Sequence, residues 1–381
     1  MATISRNLRF QWLKRTTRVA TRRRASTLAE IQNGLPKRLI APTWDDLFPQ
    51  NSYRLQVTLA DHLPEISAPA PPQILPPPSS NRQLPIGHHL VYFEQSRRGS
   101  SMLPDGTNPD QSPGKPFVRR MWAGGRVRYS QHNPLQLDGG RGVGCEFIRN
   151  VDVRGKEGAE RIFVRVERRL AKATPDEVQR LEAASEDESG SLKKELEHRV
   201  RQRLWRNEEE DFGQCSILET RNLVFMKERS PEEASQEAKR AKEKILKPQH
   251  SPDYTHVVVP DAKLLFRFSA LTFNAHSIHL DRHFAQNVEG HANLLLHGPL
   301  SYTFLVTLLQ QQLSQRGNEV IKTIEYRNLA PLYCDEPVTF GGKQVGERKW
   351  DVWAQGPEGG VAVKGSVVTE TGSIDRANLG Q

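Results

Sequence analysis

Two stretches of this chain echo one another. "NPLQLD" (Asn133 to Asp138) and "APLYCD" (Ala330 to Asp335) each run into a Gly-containing segment and then an alternating hairpin, "RIFVRVERRL" in the first half and "WDVWAQGPEGGVAVKGSVV" in the second. In the first hairpin Ile162, Val164 and Val166 alternate with Phe163, Arg165 and Glu167, the two-residue period of a strand. The echo predicts two copies of one sheet unit, and 381 residues suffice for such a double domain.

Other segments read as insertions. Residues 64 to 85 hold eight prolines and should form an extended loop outside any core. Thr174, Pro175, Asp176 and Glu177 open a charged segment with a cap, a first-turn proline and an acid at the third helical position. Ser230, Pro231, Glu232 and Glu233 repeat that signal. Both segments predict charged helices whose charge runs are solvated faces. The strand "ILETRNLVFM" lies between them, and beyond Val257 come a short helix, a histidine-rich stretch, a long apolar helix and strands to about Thr369.

The formal charge of +9 suggests an acidic partner until its location is checked. Residues 1 to 29 carry eight Arg or Lys and no acid, and the remainder holds 46 basic against 45 acidic residues. A basic, acid-free segment without an unbroken apolar core reads as a mitochondrial transit peptide over 1–29, its alternative being a basic tail that binds nucleic acid. The expected location is the mitochondrial matrix, with no nucleic-acid partner. No apolar run approaches the roughly 18 residues of a membrane span, so a soluble mature chain is expected. Cys145, Cys215 and Cys334 are scattered, which argues against a disulfide framework and a zinc ribbon.

"LTFNAHSIHLDRHFA", Leu271 to Ala285, gathers His276, His279, His283, Asn274 and Asp281. Those residue types could ligate a metal, form a surface cluster, or supply a general acid–base. Ile278 and the missing 3.6 period predict a loop, in which His279, Asp281 and His283 fall on one side and His276 on the other.

The spacing Asn274, His279, Ala285, with "IHLD" at its centre and "LLLHGPL" (Leu294 to Leu300) downstream, resembles the hydratase motif of the MaoC-like hot-dog (R)-specific hydratases and dehydratases. "LPIGHHLVYF", "LPDGTNP" and "RRMWAGGRVRY" in the first half resemble the fungal mitochondrial 3-hydroxyacyl-thioester dehydratases and mesaconyl-CoA hydratases. The resemblance implies an α+β double hot-dog, two antiparallel sheets each wrapping a central helix. It implies a degenerate N-terminal hot-dog over 30–229, a charged linker helix over 230–252, a catalytic hot-dog over 253–371 and a tail over 372–381.

By the same resemblance the reaction is reversible loss of water from a (3R)-hydroxyacyl thioester in type II fatty acid synthesis. His279 moves protons, Asn274 holds the water or hydroxyl, and Gly298 offers its N–H to the thioester oxygen. His297, His276 and Phe273 are expected at the substrate; Asp281 is expected in a local turn or salt bridge, and His283 and His291 are expected to be structural or exposed. Asn274 stands where the wider family has aspartate, Phe273 where it has glycine, and His276 where it has asparagine. No metal and no cofactor are expected; the partner is an acyl thioester of acyl carrier protein or coenzyme A, and the assembly a monomer or homodimer. The alternatives are a mesaconyl-CoA-type hydratase and a non-catalytic acyl-thioester-binding protein.

Overall fold

The computed structural model describes residues 27–64, 74–228, 233 and 246–372. Most of the expected transit peptide, the second capped charged segment and the tail lie outside the described residues. Helix α1 (Leu28–Gly34) begins with a capping box between Thr27 and Glu30 and buries Ile31. The cap therefore starts inside the segment assigned to the presequence.

The first sheet unit comprises β1 (Thr43–Asp46), α2 (Pro49–Ala60), β2 (Arg119–Tyr129), β3 (Arg141–Arg154), β4 (Arg161–Lys172) and, after helices α3 (Pro175–Glu186) and α4 (Ser191–Leu204), β5 (Ile217–Met226). The second comprises β6 (Tyr254–Val258), α5 (Ala262–Leu271), α6 (Gly298–Arg316), β7 (Glu319–Asn328), β8 (Val338–Gly346), β9 (Lys349–Gln355) and β10 (Val361–Thr371). The strand order is β1-β3-β4-β5-β2-β7-β10-β9-β8-β6. Each unit thus runs first, third, fourth, fifth, second, and β2 pairs antiparallel with β7 to join the two sheets into one. This is the expected α+β double hot-dog, but its two sheets are continuous at the junction and, among the described residues, one long helix stands where a central helix in each was expected.

The sequence echo has a structural counterpart. Leu84 N–H donates to Leu135 O and Leu137 N–H to Arg82 O; in the second unit Leu296 N–H donates to Leu332 O and Cys334 N–H to Leu294 O. The chain after Leu296 then enters His297, Gly298 and α6, whereas the chain after Leu84 enters Pro85 and a 3-10 turn at His88–Val91. One long central helix consequently serves both units among the described residues. Leu300, Phe304, Leu305, Leu308, Leu309 and Leu313 of α6 are all buried, each side chain worth roughly 1.5–3 kcal/mol of transfer free energy.

The charged insertion is only partly a solvated one. Thr174 and Glu177 form the expected capping box on α3, but α4 buries Leu196, Val200 and Leu204 with Val143, Cys145 and Phe147 of β3. Covering the outer face of the sheet also ends the simple alternation of β4, since Glu167, Arg168 and Arg169 are all buried. They are satisfied by one another and by neighbours: Arg149 and Arg169 bond Glu167, and Arg168 bonds Glu219 at 2.9 Å. All three cysteines are free and buried.

Candidate active site

The histidine-rich stretch lies between α5 and α6. Asp261 caps α5 by accepting from Leu264 N–H at 2.8 Å, and α5 stops at Leu271, where the chain turns through Phe273 at φ +48°. Asn274 N–H then donates to Ser269 O at 2.8 Å, and Asn274 Oδ1 accepts from His276 N–H at 3.1 Å. With its oxygen committed to this turn, the Nδ2 amide of Asn274 is the group left to donate elsewhere.

A 3-10 turn, Ser277–His279, buries Ile278 and His279. The turn replaces the extended alternation expected from sequence, so His276 and His279 come together, their rings edge to face at 5.6 Å. His279 Nδ1 lies 2.8 Å from Leu295 O. Only a protonated Nδ1 satisfies that carbonyl, which leaves Nε2 with its lone pair. Burial holds the His279 imidazole down at about 4, against the opposing pull of the Leu295 carbonyl, and Arg120 and His291 push the same way. It is a neutral base at physiological pH.

His297 is fully buried behind His279, stacked on it with ring centroids 3.7 Å apart, and its Nε2 lies 2.8 Å from Ser269 Oγ. It supports the site from behind and does not line the cavity, which corrects its expected place at the substrate. Gly298 does line the cavity, and its N–H, the first of α6, has no acceptor among the described residues. A Cβ there would come within 2.7 Å of Asn328 Nδ2, itself held by Trp122 O at 2.8 Å. The free N–H and positive end of α6 suit a developing oxyanion.

The cavity, about 210 Å³, is lined by Asn274, His276, His279 and Gly298, with Phe273, 60% exposed, also on its wall. Asp281 accepts from Phe284 N–H at 3.0 Å in a local turn, and His283 is exposed, both as expected. His291, expected to be structural or exposed, lines the cavity instead. Among the described residues no three His, Cys, Asp or Glu stand close enough to hold a metal ion, and no helix is long and apolar enough to cross a membrane.

The first unit builds the facing wall. Asp105 of "LPDGTNP" reaches His276 Nε2 at 3.5 Å, and its carbonyl accepts from Ser277 N–H at 2.8 Å. Gly106 must be glycine: its φ is +81° and a Cβ would meet Ala275 O at 2.0 Å. Glu94, Gln111, Arg120, Glu146 and Arg221 also line the cavity. Sequence reasoning quoted the segments that carry Asp105 and Arg120 but gave their side chains no role. The signal available was Arg119–Arg120, two cations opening a strand otherwise headed for a junction between sheets.

The family model for hydroxyacyl-thioester dehydratase type 2 matches residues 87–192 and 173–334. A mesaconyl-C(4)-CoA hydratase of Chloroflexus aurantiacus is 30% identical over 294 residues, covering 76% of this chain and 85% of that protein. The mitochondrial hydroxyacyl-thioester dehydratase type 2 of Schizosaccharomyces pombe is 27% identical over 300 residues, covering 77% of this chain and 86% of that protein. Among solved structures, a MaoC-like dehydratase from Phytophthora capsici superposes with a TM-score of 0.53 at 13% identity, covering 90% of this chain and 99% of that one, a likeness of fold. These matches span both sheet units and the cavity between them, and the chain belongs to the hydroxyacyl-thioester dehydratase type 2 family, a family of hydro-lyases.

Proposed function

We propose that this protein interconverts (3R)-3-hydroxyacyl thioesters and trans-2-enoyl thioesters plus water, with His279 as the proton-transfer group. The observation that carries this reading is the bond between His279 Nδ1 and Leu295 O at 2.8 Å, which fixes the tautomer and presents Nε2 as a base to the cavity.

In dehydration, Nε2 takes the proton from the carbon alpha to the thioester. Negative charge moves to the thioester oxygen, where Gly298 N–H and the N-terminal end of α6 stabilise it. The enolate then collapses, the bond from the beta carbon to its hydroxyl breaks, and the proton on Nε2 goes to the departing oxygen to make water. Asn274, whose amide cannot exchange a proton as a carboxylate does, holds that oxygen through Nδ2. One imidazole therefore serves as base and then acid on one face of the substrate, a syn elimination. Hydration runs the same steps in reverse.

The presequence charge and the mitochondrial relative support a place in the mitochondrial matrix and in acyl-chain synthesis on a carrier. The test is hydration of trans-2-enoyl thioesters of graded length by the purified protein, on coenzyme A and on acyl carrier protein. Loss of the enoyl absorbance with formation of the (3R) product supports the reading, and binding without turnover on either carrier refutes it.

A further inference from the structure

The first unit puts one carboxylate directly behind the site. Asp105 sits in a turn closed by Gly106 N–H donating to Leu103 O at 2.8 Å and Leu103 N–H donating to Thr107 O at 2.9 Å. Its Oδ1 accepts from Thr107 N–H at 3.0 Å and from Thr107 Oγ–H at 2.7 Å. Those two donors orient the carboxylate and leave Oδ2 to face His276 Nε2, 3.5 Å away. The Asp105 carbonyl accepts from Ser277 N–H at 2.8 Å, so main chain and side chain together pin this turn to the His276 loop. His276 lines the cavity and Asp105 does not. A largely buried carboxylate thus stands behind a ring that faces the cavity.

That arrangement selects a tautomer. Burial keeps the His276 imidazole neutral, with His279, Arg120 and His291 pushing the same way, so the ring carries one N–H. A carboxylate oxygen only accepts, which puts the hydrogen on Nε2 and the lone pair on Nδ1. Nδ1 has no hydrogen-bond partner among the described residues and, unlike Nδ1 of His297, is not sealed inside the protein. The cavity therefore meets an acceptor at His276. Asn274 supplies a donor beside it, because its Oδ1 is held by His276 N–H at 3.1 Å and its Nδ2 is left. The His279 ring lies edge to face with His276 at 5.6 Å. A hydroxyl held at His279 Nε2 has one donor and one acceptor within its reach, the pair that an O–H group needs.

We propose that Asp105 is a positioning residue that holds His276 as the Nε2–H tautomer, and that His276 Nδ1 accepts the O–H hydrogen of the substrate's 3-hydroxyl, or of the attacking water in hydration. This rests on the hydratase reading above. Asn274 Nδ2 donates to the same oxygen and His279 exchanges the proton; no covalent bond forms or breaks at His276. With its hydrogen drawn to Nδ1, the hydroxyl turns its lone pairs to Asn274 and to the protonated His279 that delivers the departing proton. Recognition of the hydroxyl by the second unit then depends on a carboxylate from the first.

The test is Asp105→Asn, which keeps the shape of the side chain. Its Oδ1 still accepts the two Thr107 hydrogens, so its amide nitrogen, a donor, faces Nε2 and the imidazole moves its hydrogen to Nδ1. Nitrogen-15 shifts of the His276 ring, assigned with His276→Gln, should show Nε2–H in the wild type and Nδ1–H in Asp105→Asn, with circular dichroism unchanged. The functional readout is the binding of two unreactive coenzyme A thioethers, S-(3R)-3-hydroxybutyl-CoA and S-butyl-CoA, which lack the acidic alpha hydrogen and differ only in the hydroxyl. The wild type should favour the hydroxylated ligand about 10-fold, the scale of hydrogen bonds that would otherwise go unmade. Asp105→Asn and His276→Phe should each cut that preference to about 2-fold or less, with S-butyl-CoA binding held within a factor of about three. An Nδ1–H tautomer in the wild type, or the same tautomer in Asp105→Asn, overturns the proposal. So does equal weakening of both thioethers in Asp105→Asn, which would assign Asp105 to the scaffold. The expected tautomers and hydroxyl preference in a protein that hydrates no enoyl thioester would uphold this inference while refuting the hydratase reading.

Discussion

His279 and His297 stack with ring centroids 3.7 Å apart and planes 22° from parallel. Two neutral imidazoles can stack so closely; two imidazoliums could not. Burial pushes both below their ordinary value, and His279 lowers His297 further. His297 does not line the cavity and lies 2.8 Å from Ser269 Oγ, so the role proposed for it is to position the His279 ring from behind. His297→Ala should therefore reduce kcat about 10- to 100-fold, the scale of a misplaced catalytic group, with KM within a factor of about three. His297→Asn, which can still bond Ser269, should recover part of the loss. Steady-state kinetics check this; a loss confined to KM would place His297 at the substrate after all.

Asn274 should matter through its amide nitrogen. Asn274→Ala should cost about 10- to 10³-fold in kcat, in the range of losing one preorganised donor, with thioester binding nearly unchanged. Asn274→Asp removes the Nδ2 donor while leaving an oxygen for His276 N–H. It should lower activity and steepen the pH dependence instead of improving the enzyme. Wild-type rates in Asn274→Ala would show that the residue takes no part in the reaction.

Acid should unfold this protein through its histidines. His88 and His279 are pushed down to about 4 and His89 to about 3, chiefly by burial, and His276 and His297 are lowered too. Each is protonated in the unfolded chain below about 6.5 and stays neutral when folded. The unfolded state thus binds more protons between about pH 4 and 6.5, and stability must fall as pH drops through that window. Glu94 and Glu219 work at the other end. Burial raises both carboxyls to about 8, so the folded state holds protons that the unfolded state has released, and stability falls as pH rises from about 4.5 to 8. Five histidines outweigh two glutamates in the acid window and are silent above it. The melting temperature should therefore peak near pH 6.5, and a melting temperature unchanged from pH 7 down to 4.5 would contradict this.

Much of this architecture could be read from the chain. The echo at Leu135 and Leu332 marked the two units because the same pair of backbone hydrogen bonds needs the same short apolar segment. The Thr174 cap and the buried stripe of α6 were visible because capping and helical periodicity are local properties. The conformation at Ser277–His279 was not legible, because the 3-10 turn is set by Asp105 O, Leu295 O and Gly106, partners distant in sequence. For the same reason His291 and His297 exchanged expected places. The short 3-10 turn where the first unit might have had a long helix was hidden too, since Pro85 alone does not reveal that one helix fills the space for both.

The central claim is that His279 transfers the proton, and the most direct measurement is the single-turnover hydration rate of but-2-enoyl-CoA by His279→Ala beside the wild type, with folding checked by circular dichroism. The account predicts a fall of about 10²- to 10⁴-fold with substrate binding retained, partly restored by added imidazole, and no comparable fall in the exposed His283→Ala. A His279→Ala protein that hydrates at the wild-type rate would contradict it.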